Sequence, residues 1–211
     1  QSGCMPRILS IGSSVQYGHL NEKDPPLAEN HTLNPDNPYA AGRVAQEHLA
    51  MVYHRGYGLD ICCTRSFNHC GPGQSDRFVA SSIARQFARI TQGRQDKKIR
   101  IGNGSIVRDF LDVRDVVRAY ALLLEKGVSG EVYNICSGRG YSIRELVTLL
   151  ADKRNIQVQI VEETQKMRPR DNPCIIGNNA KVRAAVNWQP EILLETSLDE
   201  MVTFWERQCR S

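Results

Sequence analysis

Apolar and polar positions along the chain follow two alternating periods. Arg7 to Ile11 is a short β-favouring run ending in Gly12-Ser13-Ser14, which reads as a buried strand leaving its sheet into a polar loop. Chemistry usually sits at such a strand end. Asn21 to Pro38 carries Pro25, Pro26, Pro35 and Pro38 among polar residues, which predicts an irregular surface connection. From Tyr39 to about Arg55, Ala41, Ala45, Leu49, Val52 and Tyr53 recur at three- and four-residue steps, the signature of an amphipathic helix, with Gly56 and Gly58 to end it.

Leu59 to Ser66 is again β-rich, followed by a polar loop and a turn at Gly71-Pro72-Gly73. Phe78 to Thr91 is helical in pattern, Ile99 to Ile101 a short strand, and Gly102-Asn103-Gly104 a turn. An extended Val107 to Val113 leads into a helix from about Asp115 to Glu125, then a strand at Val132 to Ile135. Ser142 with Glu145 three residues on forms a capping box for a helix to about Lys153, and Val158 to Val161 is the last predicted strand. Strands alternating with helices predict an α/β fold. No strand here is followed by the G-x-G-x-x-G or G-x-x-G-x-x-G turn that opens a dinucleotide-binding fold. The first half of such a fold is therefore expected to be missing, and the chain to begin in mid-sheet.

Composition narrows the function classes. The net charge of +4 is mild and its basic residues are scattered, which fits an anionic small ligand and predicts no nucleic-acid partner. Apolar runs such as Ala119 to Leu124 are too short to span a bilayer, so no membrane partner and a cytoplasmic location are expected. Seven cysteines with no C-x-x-C pair read as reduced thiols, mostly buried, and the five histidines, His48 and His54 included, lack metal-ligand spacing.

Three groups remain as candidate chemistry: Ser13, four residues before Tyr17; Tyr39 and Arg43, one helical turn apart; and the run from Arg65 to Gly73. Residues four apart share a helical face, and a phenol beside a fixed cation is a credible proton donor because the positive charge favours phenolate. Alone, Tyr39 and Arg43 read better as a helix-start aromatic and a solvated charge, because Y-x-x-x-[KR] occurs often by chance. Their order is more specific: strand, S-S-x-x-Y-G, Pro-rich loop, N-P-Y-A-x-x-R helix, strand, R-x-F-N-x-x-G-P-G.

That order resembles the extended short-chain dehydrogenases that modify nucleotide sugars. The likeness continues through V-R-D-F-L-D-V-R-D-V at Val107 to Val116, Y-N-I-C-S-G at Tyr133 to Gly138, R-P at Arg168-Pro169 and N-W-Q-P at Asn187 to Pro190. Within the family, the stretch from F-N-H-x-G-P-G-Q through R-D-F-L-D-V is most similar to the GDP-4-dehydro-6-deoxy-D-mannose reductases. The resemblance implies the C-terminal part of a Rossmann-like parallel sheet with a smaller α/β substrate-binding subdomain. Residues 1–75 would be the remaining Rossmann strands and helix, and 76–211 mainly the substrate part, with a Rossmann segment returning near 107–130.

The resemblance also implies roles. Tyr39 would protonate the sugar C4 oxygen, Ser13 would hold that oxygen, and Tyr39 with Arg43 would contact NADP or NAD. Asn68 would orient the GDP-sugar, Arg108 and Arg168 would bind its diphosphate through their planar donor forks, and Asp171 would reach a ribose. Arg43 stands where the family has lysine. The related 4,6-dehydratases carry an acid or base two residues before the tyrosine of S-[ST]-x-x-Y-G; here that residue is Val15, which favours ketoreduction over dehydration. A non-catalytic nucleotide-sugar-binding or assembly module, a dehydratase-like lyase, and a homodimer formed through an exposed sheet edge remain as alternatives.

Overall fold

The computed structural model describes residues 6–20, 26–166 and 172–208. Strand β1, Ile8–Ser13, runs two residues past its expected end and straight into a 3-10 turn, Ser14–Tyr17. Ser13 is the reason: its hydroxyl accepts from the Val15 N–H, while the Gln16 side chain reaches back to accept from the Ser13 N–H. Helix α1, Pro38–Tyr57, starts on Asn37, whose side chain accepts from the Ala40 N–H, with Pro38 at its first position. Gly58 ends it in the left-handed conformation, φ +68°; Gly56 lies within the last turn.

Strand β2 (Ile61–Ser66), β3 (Asn68–Cys70), α2 (Val79–Thr91), β4 (Lys98–Ile101), β5 (Val107–Asp112) and α3 (Val113–Lys126) follow. Then come β6 (Val132–Ile135), β7 (Gly140–Ser142), α4 (Ile143–Arg154), β8 (Gln159–Glu162), β9 (Cys174–Ile175), α5 (Ala180–Val186) and α6 (Leu194–Gln208). The expected polar loop after Ser66 contains β3, whose three residues pair with Phe110 to Asp112 of β5 and so take their order from a partner rather than from local propensity. The capping box of α4 forms as the sequence predicts, with the Ser142 hydroxyl and the Glu145 carboxylate each accepting from the other's N–H.

The fold is α/β, and the described residues form three small sheets. In the first, β1, β2 and β6 are all parallel, and β2 is central, with Ile8 opposite Ile61 and Ser13 opposite Ser66. All six residues of β2 are buried because helices cover both faces: Ile61 and Cys63 meet Ala50 of α1, and Cys62 meets Leu123 of α3. In the second, β5 pairs in parallel with β3 and β9 and antiparallel with β7; in the third, β4 pairs in parallel with β8. Ile83 and Phe87 of α2, Leu146 and Leu150 of α4, and Leu198 and Val202 of α6 close with Ile99 of β4 into the largest apolar core.

One expectation is corrected by α1. The helix forms, but the apolar stripe that announces it faces outward: Ala41 and Ala45 are exposed, as are Leu49, Val52 and Tyr53 at 57, 58 and 45%. The buried face is Ala40, Glu47 and Ala50. Periodicity detects a stripe but carries no information on which side of the helix meets the sheet.

The matched run around β5 and the start of α3 is a set of structural pins. Asp112 accepts from the Arg114 N–H at 2.7 Å and from the Ser197 hydroxyl at 2.6 Å, fastening α6 to α3. The Asp115 carboxylate accepts from the N–H groups of Glu191 and Ile192, and its backbone carbonyl takes the buried Trp188 indole at 3.0 Å. Charge-assisted bonds of this kind hold the chain after α5 against α3.

Candidate active site

α1 packs along β1 with Arg43 and Gln46 on the Ile11 carbonyl, two residues before Ser13. Tyr39 sits in the first turn of α1, 56% exposed, and Arg43 one turn further on. Arg43 Nε donates to the Tyr39 hydroxyl at 3.1 Å, its guanidinium carbon 5.1 Å from the ring centroid. Its Nη1 donates to the Ile11 carbonyl at 3.0 Å and to Gln46 Oε1 at 2.8 Å. A planar fork serves phenol and carbonyl together, where an ammonium would act as a point charge. The four-residue spacing thus brings Tyr39 and Arg43 together as expected, and ties the pair to β1 two residues before Ser13.

Beneath them lies a buried polar set to which the sequence reading gives no role. Glu47, four residues beyond Arg43, receives Arg65 through two bonds, Nη2 to Oε1 at 2.7 Å and Nε to Oε2 at 2.9 Å. Gln16 Nε2 donates to Glu47 Oε2 at 2.8 Å, and Gln16 Oε1 accepts from the Ser13 N–H at 2.9 Å. Arg65 Nη1 also donates to the Tyr17 hydroxyl, which donates to Asn134 Oδ1 at 2.7 Å. Burial pushes the Glu47 carboxyl up, but the hydrogen bonds and charge of Arg65 outweigh it and hold the group below the usual carboxylate range. Burial raises the Tyr17 phenol above its ordinary value. The available signal was the spacing 39, 43, 47 along one helical line.

A cleft of about 660 Å³ opens in front of Ser14 and Val15, lined also by His19, Asp36, Asn68 and Arg108. The structure thus brings Asn68 and Arg108 together: Asn68 Nδ2 donates to the Asp109 carbonyl at 3.3 Å and Arg108 Nη1 to the Val107 carbonyl at 2.7 Å. Arg168 and Asp171 lie outside the described residues. Asn172, just after them, lines the cleft and bridges Gly18 and Leu20, donating to the Gly18 carbonyl at 2.7 Å and accepting from the Leu20 N–H at 3.0 Å. Asp36 takes a hydrogen bond from Asn37 Nδ2 at 2.8 Å. Neither His19, Asp36 nor Asn172 stands out in sequence, because loop residues share no period.

Behind the cleft, Asp109 is fully buried and its carboxylate accepts from the N–H groups of Ser137, Gly138 and Gly177 and from the Ser137 hydroxyl. Burial pushes this carboxyl up to about 6, against those hydrogen bonds. A second cleft, about 480 Å³, follows the outer side of β1 and is lined by Ile8, Ser10, Ile11, Arg43, Gln46 and Tyr53. Cys62, Cys63, Cys70 and Cys136 are buried thiols, while Cys174 is exposed. Among the described residues no group of three His, Cys, Asp or Glu side chains is placed to hold a metal, and no helix is long and apolar enough to cross a membrane.

Comparison with known proteins decides the family. The model for GDP-mannose 4,6 dehydratase matches residues 3–201. The chain belongs to this family of extended short-chain dehydrogenases. It is 40% identical over 203 residues to GDP-6-deoxy-D-mannose reductase of Pseudomonas aeruginosa, covering 96% of this chain and 67% of that protein. It is 30% identical to dTDP-glucose 4,6-dehydratase of Haemophilus influenzae, covering 94% of this chain and 60% of the relative. Among solved structures, RMD from Pseudomonas aeruginosa complexed with NADPH superposes with a TM-score of 0.91, is 40% identical, and is covered over 68% of its length by 98% of this chain. A dTDP-glucose 4,6-dehydratase from Bacillus anthracis in complex with NAD gives 0.81 at 25% identity, with 97% of this chain covering 63% of it. The chain therefore spans about two thirds, or somewhat less, of the length of these members of the GDP-mannose 4,6 dehydratase family.

Proposed function

We propose that the chain forms the substrate side and the proton-donating side of a nucleotide-sugar oxidoreductase that reduces the 4-keto group of GDP-4-dehydro-6-deoxy-D-mannose to give GDP-D-rhamnose. The observation that carries this reading is the Tyr39 phenol, held by an Arg43 that also binds the Ile11 carbonyl of β1, two residues along the chain from Asn37 in the wall of a cleft that has Val15 at the dehydratase acid/base position. Ketoreduction needs one proton donor at the C4 oxygen, whereas elimination of water needs further proton transfers.

Tyr39 gives its proton to the C4 oxygen and Ser13 holds that oxygen through its hydroxyl. Arg43, hydrogen-bonded to the phenol, stabilises the phenolate that remains. Asn68 and Arg108, in the same cleft, orient the sugar and bind the diphosphate; Arg168 and Asp171 are assigned to diphosphate and ribose by the family pattern. NADPH or NADH supplies the hydride when bound. For that cofactor, Tyr39 and Arg43 fit the nicotinamide-ribose end, Arg43 lining the open cleft beside β1. The 211 residues hold no glycine-rich turn for its pyrophosphate, so the activity is assigned to this chain together with residues that carry such a turn. The likeness to a reductase complexed with NADPH supports this cofactor class.

Product analysis tests the reading. The chain joined to the phosphate-binding segment of the Pseudomonas aeruginosa relative should reduce GDP-4-dehydro-6-deoxy-mannose and leave GDP-mannose unchanged. Tyr39→Phe should lower turnover roughly 100-fold or more, the scale of a general acid. Dehydration of GDP-mannose without reduction of the keto sugar would overturn the assignment and turn attention to Asp36.

A further inference from the structure

We infer that Gln16 and Glu47 are positioning residues: a buried relay from Arg65 through Glu47 and Gln16 sets the place of Ser13 relative to the helix that carries Tyr39 and Arg43. The inference rests on the reading of Ser13 and Tyr39 given above. Tyr39, Arg43 and Glu47 follow at four-residue steps on α1, so fixing Glu47 fixes the height and rotation of the helix turn that holds the pair. Arg65, on the neighbouring strand β2, grips both Glu47 oxygens at 2.7 and 2.9 Å, and the two side chains are 6 and 8% exposed. A bidentate charged pair leaves little freedom in its plane.

The Glu47 carboxylate has acceptors only, so it selects the orientation of the Gln16 amide. Nε2 must face Glu47 at 2.8 Å, which turns Oε1 toward the Ser13 N–H at 2.9 Å. Gln16 is fully buried, and its amide occupies the space in which a Cβ on Gly12 would stand, 2.3 Å from Oε1. The Thr64 carbonyl lies equally close, at 2.4 Å, so glycine is required at this point by the neighbouring strand and by the relay together. Ser13 has two tethers, its N–H held by Gln16 and its hydroxyl accepting from the Val15 N–H at 3.4 Å. The first of them runs through Glu47 to α1. A shift of α1 thus carries Ser13 with it, and the hydroxyl and the phenol keep a common frame.

Two near-isosteric variants test this: Gln16→Met, which fills the same space without an acceptor, and Glu47→Gln, which keeps the shape and removes the charge that orients the amide. In the active, joined protein each should lower kcat roughly 10-fold or more, as misplacement of a reacting group does, with the KM for the GDP-sugar within about twofold. In the 211-residue chain itself, hydrogen exchange at the Ser13 amide should rise about 10-fold or more, with amides of α2 and α4 unaffected. Loss of kcat and KM together with faster exchange throughout would mean a merely structural role and overturn the inference. So would unchanged kcat with unchanged Ser13 exchange. If the joined parent does not reduce the keto sugar, the function reading fails by itself, and the Ser13 amide still decides: faster exchange in both variants supports the relay, unaltered exchange removes it.

Discussion

Around Glu47 the interior is polar, and around Phe87 it is apolar. The first region packs α1 on β1 and β2 through an ion pair, an amide and a phenol, while the helix turns Leu49, Val52 and Tyr53 away from the sheet. The second packs α2, α4 and α6 through Ile83, Phe87, Leu146, Leu150 and Leu198, with no buried charge among them. Apolar packing is non-directional and tolerates small slides, whereas a bonded charge pair holds only at one geometry. The polar material lies beneath Ser13, Tyr39 and Arg43, the side chains to which we assign the chemistry, and the apolar material where no such assignment is made.

Breaking the ion pair should give the largest effect. Arg65→Met leaves Glu47 buried without its partner and should cost about 3–5 kcal/mol in urea denaturation, whereas the double variant Glu47→Leu with Arg65→Met should lose less than that single change. A double variant that loses the sum of both changes would remove the special character of the polar corner. The pair also makes the corner sensitive to acid. The Glu47 carboxyl is lowered, so its contribution is complete above the ordinary carboxylate range and disappears as pH falls through the lower folded value.

In the apolar layer, Leu150→Ala should cost about 2–5 kcal/mol, by lost transfer energy and the cavity left behind. That loss should be the same at pH 4 and pH 7, because Leu150 packs within a cluster of buried apolar side chains; a pH-dependent loss would blur the contrast.

Asp109 belongs to neither region and has the opposite pH sign to Glu47. A carboxyl raised from 3.8 to about 6 contributes stability that is complete below 3.8 and is lost as pH rises through about 6. The full span is about 3 kcal/mol at 1.36 kcal/mol per pH unit. Asp109→Asn lacks this titration, so the stability of the parent relative to the variant should fall between pH 4 and pH 7. A constant difference across that range would mean that the bonds from Ser137, Gly138 and Gly177 dominate burial.

The smallest effect is expected on the outer face of α1. Val52→Glu should change the stability of the chain by less than about 0.5 kcal/mol, since the side chain is 58% exposed and meets no core. A larger loss would show that this face packs on something in solution.

The same contrast explains how much of the molecule could be read from its sequence. Elements whose order is local were legible: α4 from its capping box, α2 and β2 from their apolar pattern, and α1 from its stripe. The burial of α1 was not, because its inner face carries Glu47, and a pattern search takes a charged residue for a solvent-facing one. Asn68, Arg108, Tyr39 and Arg43 were singled out through motif order; the first two line one cleft, Arg43 lines the other, and Tyr39 is hydrogen-bonded to Arg43. Gln16 and Glu47 were missed because each gains meaning only through a partner distant in sequence, and β3 because its order comes from β5.

The two side chains on the Ile11 carbonyl bear on how sheets meet. In β1 the N–H of Ile8 points to β2, so the backbone groups of Leu9, Ile11 and Ser13 point the other way along the alternating strand. Of these, the Ile11 carbonyl is taken by Arg43 and Gln46, and the Ser13 N–H by Gln16. Two of these six backbone groups are thus held by side chains of the same chain. A strand that pairs with β1 as far as Ser13 must displace the guanidinium and the amide from the Ile11 carbonyl. Arg43, which holds the Tyr39 phenol, thereby also holds the edge of β1, and a strand that pairs along its full length takes the Ile11 carbonyl over from a guanidinium and an amide.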